Sequence, residues 1–171
     1  METWDAITAR RDVREFNIRA IGGADLDRIL EAGRRAPSSQ NIQPWDFVVV
    51  TDRERLHELS TVWQAGGHVA LSAATVAFVL PDADDARVRE SNRFDIGQAA
   101  MQMMIAAADL GIGSGHSAVG DQDRARDLLG VPADRYVAFL IDFGYPSGRP
   151  LRPIRNPNRR PFDEVVHRDR W

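Results

Sequence analysis

The chain has no cysteine and no lysine. The first absence excludes disulfides, zinc–thiolate sites, cysteine-ligated iron–sulfur clusters and thiol nucleophiles together. The second makes every one of the 22 basic residues an arginine. Arginine carries a rigid five-donor fork suited to phosphate and carboxylate, although an arginine-rich codon bias gives the same composition. No apolar run reaches the roughly 18 residues a membrane span needs, and residues 1–5 have neither a basic nor an apolar leader region. A cytoplasmic protein is expected. The net charge is −3 and the arginines are spread along the chain, which argues against nucleic acid or an anionic membrane as the main partner. No Gly-Lys-Ser/Thr phosphate loop and no Gly-x-Ser-x-Gly elbow is present. The four histidines, His57, His68, His116 and His167, show no i,i+4 pairing and no nearby carboxylate motif, so neither a metal site nor side-chain acid–base catalysis has a clear candidate. Any chemistry is then expected to come from a bound cofactor.

What is present is a soluble globular composition, 43% hydrophobic and 27% charged over 171 residues, enough for one domain with a sizeable core. Thr3 is placed to cap a short helix carrying Trp4 and Ile7, which gives way near Arg10. A second helix runs from about Ala24, with Leu26, Ile29 and Leu30 on one stripe. Gly33 continues that stripe without a side chain, which weakens the last turn or permits close packing. Residues 46–51, Thr75–Leu80 and Tyr136–Phe143 read as buried strands. Thr51 to Glu54 has the pattern of a capping box opening a third helix. Ser91 to Leu110, including Phe94, is apolar nearly all round and predicts a central buried helix. Asp121–Leu129 predicts a short helix closed by Gly130.

Three stretches carry candidate chemistry. Ala36 to Trp45 places two serines, two glutamines and an asparagine between and beside two prolines, directly before a strand. Prolines fix φ and push the preceding residue to extended geometry, so these polar groups are held. Amides carry donors and acceptors and can read a flat heterocycle with alternating N–H and C=O groups; an ordinary polar loop is the plainer alternative. Gly111 to Ser117 is a glycine-rich loop after a long helix, the wrong context for a dinucleotide fingerprint. It offers close backbone approach instead, so a planar ligand can lie against main-chain N–H groups near His116 to Val119. Arg10, Arg11 and Arg14 form one basic cluster, and Arg159 and Arg160 a second. Such forks suit a phosphate monoester, as they also suit an exposed helix end.

The last 23 residues carry Pro150, Pro153, Pro157 and Pro161 and six arginines between Arg149 and Arg168. This segment cannot build its own core and is disordered or laid across another surface; Val165, Val166 and Trp171 favour docking.

Taken in order, Arg10-Arg11-x-Val13-Arg14-x-Phe16, then Ala36-Pro37-Ser38-Ser39-x-Asn41-x-Gln43-Pro44-Trp45, the glycine loop, Gly144-Tyr145-Pro146 and Asn158 to His167 resemble the FMN-dependent nitroreductase family over nearly the whole chain. The resemblance implies an α+β fold: a mostly antiparallel central sheet flanked by helices (residues 1–148) and an extended tail (149–171) docking on a partner subunit. It implies a homodimer with FMN at the interface and NAD(P)H as electron donor. Hydride would pass through flavin N5 to a nitroaromatic, quinone or similar small acceptor by ping-pong chemistry. Relatives use the same seat for dehalogenation, flavin fragmentation or azoline oxidation, and a flavin-binding module without turnover is the rival of another class. Carried over by position, Arg10 holds the phosphate with Arg159, beside Arg11 and Arg160. Arg14 lies near the N1–C2=O2 edge of the ring. Pro37, Ser38, Ser39 and Asn41 reach FMN from the opposite subunit, and the main chain of Ser117 and Ala118, between His116 and Val119, faces N5.

Two departures stand out. Asp12 occupies a position where the family often has serine, so it is expected to point away from the phosphate or to pair with an arginine. Residues 81–93 are too few for the lid of larger members, which predicts an open pocket.

Overall fold

The computed structural model describes all 171 residues. Four strands form one sheet in the order β1-β2-β4-β3: β1 Asp46–Val50, β2 Ala74–Pro81, β3 Gly113–Ser117 and β4 Arg135–Gly144. Every pairing is antiparallel. The helices are α1 Thr3–Ala9, α2 Gly23–Arg34, α3 Arg53–Leu59, α4 Ala86–Asp109, α5 Gln122–Leu129 and α6 Phe162–Val165. Short 3-10 turns cover Ser39–Asn41, Ser60–Val62 and Gly66–Leu71. No helix is long and apolar enough to cross a membrane.

Alternation along the strands explains the layers. Val76, Phe78 and Leu80 of β2 and Ile141 and Phe143 of β4 turn to one face, where they meet Ile29 of α2 and Ile96, Ala99 and Met103 of α4. Ala77, Val79 and Leu140 turn to the other, against Leu56 and Leu59 of α3, Val62, Val69 and Ala125. Both faces are covered, so the central strands read as continuous apolar runs. Gly33 packs directly on Met103; a Cβ there would overlap its side chain. The missing side chain is therefore a close helix–helix approach.

Several boundaries differ from the sequence reading. Glu2, with no side-chain bond, stands at the α1 cap, and Thr3 is already helical. Asp52 caps α3 in place of Thr51, its carboxylate accepting from Arg55 N at 2.9 Å. α4 begins five residues earlier than expected, because Asp85 accepts from Arg87 N at 2.7 Å and Val88 N at 3.2 Å. Only residues 82–85 then separate β2 from α4, too few for a lid. α4 is not buried all round: Phe94 is 69% and Met101 44% exposed, one heptad apart. The stretch expected to be a glycine-rich loop contains β3. It pairs with β4 from Gly113↔Gly144 to Ser117↔Leu140. Gly130 closes α5 in left-handed geometry, as its sequence position predicts.

Candidate active site

The arginine segment is stitched to the edge of the sheet. Val13 N donates to Ser114 O at 2.9 Å, and Asp12 bridges Ser114 in parallel. Two glycines of β3 make this possible. A Cβ at Gly113 would meet Val13 Cγ2 at 2.7 Å, and one at Gly115 would meet the Val13 carbonyl oxygen at 2.5 Å. The segment covers only the Ser114 end of the edge. At a period of two, His116 turns its main-chain N–H and C=O to that same outer edge. An open polar edge therefore runs on from the arginine segment toward Ala118. His116 is exposed, with its ring 5.1 Å from that of Phe139.

Arg11, Asp12, Arg14, Glu15, Gly148 and Arg149 line a cleft of about 330 Å³ here. The Arg11 guanidinium donates to the Arg149 main-chain oxygen. Its pKa is lowered, first by burial and then by the Arg149 charge. Two cations held together are relieved by an anion between them. Arg149, in the tail, was not singled out by its sequence position; the run of tail arginines was its only signal. Asp12 pairs with Arg10 Nη1 at 3.3 Å, so it meets the expectation of an arginine partner.

The amide segment is held under strain. Gln40, Asn41 and Gln43 have φ of 51°, 58° and 53°, a region that side chains other than asparagine's rarely occupy and that costs on the order of 1 kcal/mol or more per residue. Ser38 Oγ accepts from Gln43 N at 2.9 Å, and Gln43 Nε2 donates to Asn41 O at 3.0 Å and Oδ1 at 3.2 Å. Asp95 of α4, 2% exposed, accepts from Ser39 N at 2.9 Å through Oδ2. Its other oxygen faces Gln98 Nε2 at 3.4 Å. Pro37, Ser39 and Asn41 are exposed and Ser38 half-buried. Strain of this kind persists where the surroundings fix it and is concentrated at binding sites. Asp95 was hidden in the sequence as one more acidic residue of a helix.

Within one chain these groups do not all converge. The 37–43 segment is anchored on α4 through Asp95 and the 10–14 segment on β3 through Ser114; no hydrogen bond or ion pair joins them. Arg159 and Arg160 are exposed and bond only within the tail, to Asn158 O and to Glu164. The tail touches the body through Arg149 and through Ile154 N to Thr8 O at 3.1 Å, and residues 155–171 are all exposed.

The histidines require a correction. His68 has a carboxylate partner after all: Nδ1 lies 2.5 Å from Asp142 Oδ2, with both side chains buried. The pairing spans 74 positions, out of reach of any local pattern. An aspartate inside the apolar run Val137–Phe143 was its one legible sign, since a buried carboxylate needs a partner.

A nitroreductase family model matches residues 7–65 and 58–145. The chain belongs to the nitroreductase family. An Archaeoglobus fulgidus protein assigned as an NADH dehydrogenase/NAD(P)H nitroreductase is 30% identical over 169 residues, 96% of each chain. The FMN reductase [NAD(P)H] of Bacillus subtilis is 29% identical over 91% of this chain and 70% of its own. Among solved structures, the NADPH:FMN oxidoreductase of Vibrio harveyi, complexed with NAD+, superposes with a TM-score of 0.85 at 25% identity, over 97% of this chain and 76% of its own. An FMN-dependent nitroreductase of Clostridium difficile shares the fold, with a TM-score of 0.84 at 23% identity over 97% and 98%. This nitroreductase-family chain is thus an oxidoreductase with an α+β fold on an antiparallel four-stranded sheet.

Proposed function

We propose that the chain works as a homodimer that binds FMN, takes hydride from NAD(P)H and passes it to a small acceptor of nitroaromatic or quinone type. The observation that carries this is the arginine segment on the β3 edge, where Arg11 and Arg149 share one cleft beside Arg14. Those groups fit a phosphate monoester, and the open edge from His116 to Ala118 fits the polar rim of a flat ring. The donor chemistry and the flavin are named for relatives: the Bacillus subtilis protein as an FMN reductase using NAD(P)H, and the Vibrio harveyi protein as an NADPH:FMN oxidoreductase.

When bound, FMN would supply the two-electron chemistry at N5, first toward NAD(P)H and then toward the acceptor. The protein's share is binding and electrostatics. Arg11 and Arg149 hold the phosphate, with Arg159 and Arg160 brought in by the tail. Asp12 and Glu15 line the same cleft, and the Asp12 charge is offset by its pairing with Arg10, which leaves Arg11, Arg14 and Arg149 as the cations that face the phosphate. Arg14 offsets negative charge at the N1–O2 edge. Pro37, Ser38, Ser39 and Asn41 orient the ring from the second subunit. The absent lid leaves the acceptor side open.

A titration of the protein with FMN and with riboflavin tests the phosphate seat. Charge-assisted hydrogen bonds contribute about 1.5–3 kcal/mol each, so FMN should bind at least about 100-fold more tightly. Equal affinities would remove the seat.

The dimer rests on uncovered apolar surface. Phe94, Met101, Trp4 and, in the tail, Phe162 and Trp171 all face outward; the α4 pair form one stripe, which a second copy covers. Phe94→Arg should give a monomer by sedimentation and weaken FMN binding at least about tenfold, because a charge buried at a contact costs more than 1.4 kcal/mol. A dimeric Phe94→Arg protein with unchanged affinity would place the contact elsewhere.

A further inference from the structure

One buried polar cluster has no part in the reading above. Asp142 and Thr75 are cross-strand partners, as are Asp142 and Gly115. Asp142 Oδ1 accepts from Thr75 Oγ1 at 3.0 Å, and Thr75 Oγ1 lies 3.0 Å from Ser72 Oγ, which donates to Val69 O at 2.8 Å. On its other oxygen the carboxylate meets His68 Nδ1 at 2.5 Å, and His68 Nε2 meets Ser117 Oγ at 3.3 Å. Ser117, His68 and Asp142 are thus joined in the order of an acyl-transfer triad. Acyl transfer is ruled out by access: Ser117 is 0% exposed and lies within a strand, so a carbonyl carbon cannot reach Oγ. His68, at 7%, is the only member of the cluster with any exposure.

The position of the cluster suggests another task. A Cβ at Gly115 would lie 3.5 Å from Asp142 Oδ2 and 3.6 Å from His68 Nδ1, on the same glycine whose other neighbour is the Val13 carbonyl. The pair therefore lies beside Gly115 of β3, next to the Val13 carbonyl of the arginine segment and to the Ser117 side chain. We propose that His68 and Asp142, linked to the strand through Ser117, form a charge-compensating proton site: it takes up one proton when the neighbouring redox site gains a hydride and releases it when the hydride leaves. This rests on the flavin reading given above.

The balance is complete. A hydride brings two electrons and one proton and adds one unit of negative charge. One proton from water then forms an N–H bond at His68 Nε2. The imidazolium stays paired with ionised Asp142, and Ser117 Oγ changes from donor to acceptor. When hydride goes to the acceptor, that N–H bond breaks and the second proton the product needs is returned. The charged groups bonded to the imidazole or its segment are two. Asp142 of β4 meets the ring itself, and Arg53 of α3 donates to the carbonyls of Ala70 and Ser72 on the histidine's own turn. Ser117 of β3 and Thr75 of β2 are neutral.

The test follows the histidine ring nitrogens by NMR in the FMN-loaded protein, oxidised and then reduced anaerobically, across pH, with His68→Gln to assign the His68 signals. A negative charge gained nearby favours the protonated form of an imidazole. The ring-nitrogen signals of His68 should therefore show the doubly protonated form at a higher pH in the reduced protein than in the oxidised one. Wild type should also absorb more protons on reduction than His68→Gln between the two midpoints. A His68 titration that ignores the flavin's redox state, in protein that keeps its yellow colour, overturns the proposal and leaves the flavin reading standing. If His68→Gln does not fold, the wild-type signals of the four histidines still decide, by whether any buried histidine moves on reduction. Protein that takes up no FMN at all removes both.

Discussion

Gly115→Ala should damage stability and cofactor binding together. The new Cβ would lie 2.5 Å from the Val13 carbonyl oxygen, a backbone atom that cannot rotate away. The arginine segment must then lift from β3, losing the 2.9 Å bond between Val13 N and Ser114 O. Overpacking costs about 1–3 kcal/mol and the lost bond about 1 kcal/mol more. At this chain length a loss of about 2–4 kcal/mol lowers the melting temperature by roughly 4–16 °C. FMN affinity should fall about 100-fold, because Arg11 and Arg14 move with the segment and two charge-assisted hydrogen bonds contribute about 1.5 kcal/mol each at the low end. Gly23→Ala, in the first turn of α2 with nothing within 4 Å of the Cβ position, is the control and should change neither. Wild-type melting and affinity in Gly115→Ala would show that the segment does not depend on the strand edge.

Asp95→Ala should act on the other half of the site. Its carboxylate, buried in α4, holds the Ser39 amide at 2.9 Å and with it three left-handed residues. A hydrogen bond to a charged group contributes about 1.5–3 kcal/mol. If the loop relaxes to ordinary backbone geometry when that bond goes, ring binding must re-impose the strain, and FMN affinity falls about 10- to 150-fold. Asp95→Asn keeps an acceptor oxygen and should lose roughly a third to a half as much free energy. Circular dichroism separates this from unfolding: the helix signal should remain in Asp95→Asn while affinity drops. Full affinity in both variants would mean that the loop's geometry is set by its own Ser38 and Gln43 bonds.

These two residues also mark what the sequence could and could not tell. Strands β2 and β4 were legible because both sheet faces are buried, which makes Thr75–Leu80 and Tyr136–Phe143 plain apolar runs; β1, expected to be buried, is an edge strand in which only Val50 is buried and Val49 is exposed, and its β-branched residues gave it away. β3 was not. Gly113-Ser114-Gly115-His116-Ser117 has no β-branched or aliphatic residue, and it is a strand only because β4 pairs with it and Val13 lies on its glycines. The amide segment was recognisable from its prolines and polar residues, but two of its three left-handed φ values belong to glutamines, which carry no such local preference. Phe94 reads as core in the sequence because apolarity on a helix does not say whether its own chain covers it; in the fold it is 69% exposed. His68, Asp142 and Asp95 meet partners 56 to 74 positions away, and no local period records such a distance.

Anaerobic mixing of FMN-saturated protein with NADPH or NADH, followed at the yellow flavin band, tests the central claim most directly. Bleaching by at least one of the two donors, reversed when a quinone or nitroaromatic is added, is the predicted result. A flavin that stays yellow with both, or a protein that takes up no FMN at saturating amounts, would contradict it.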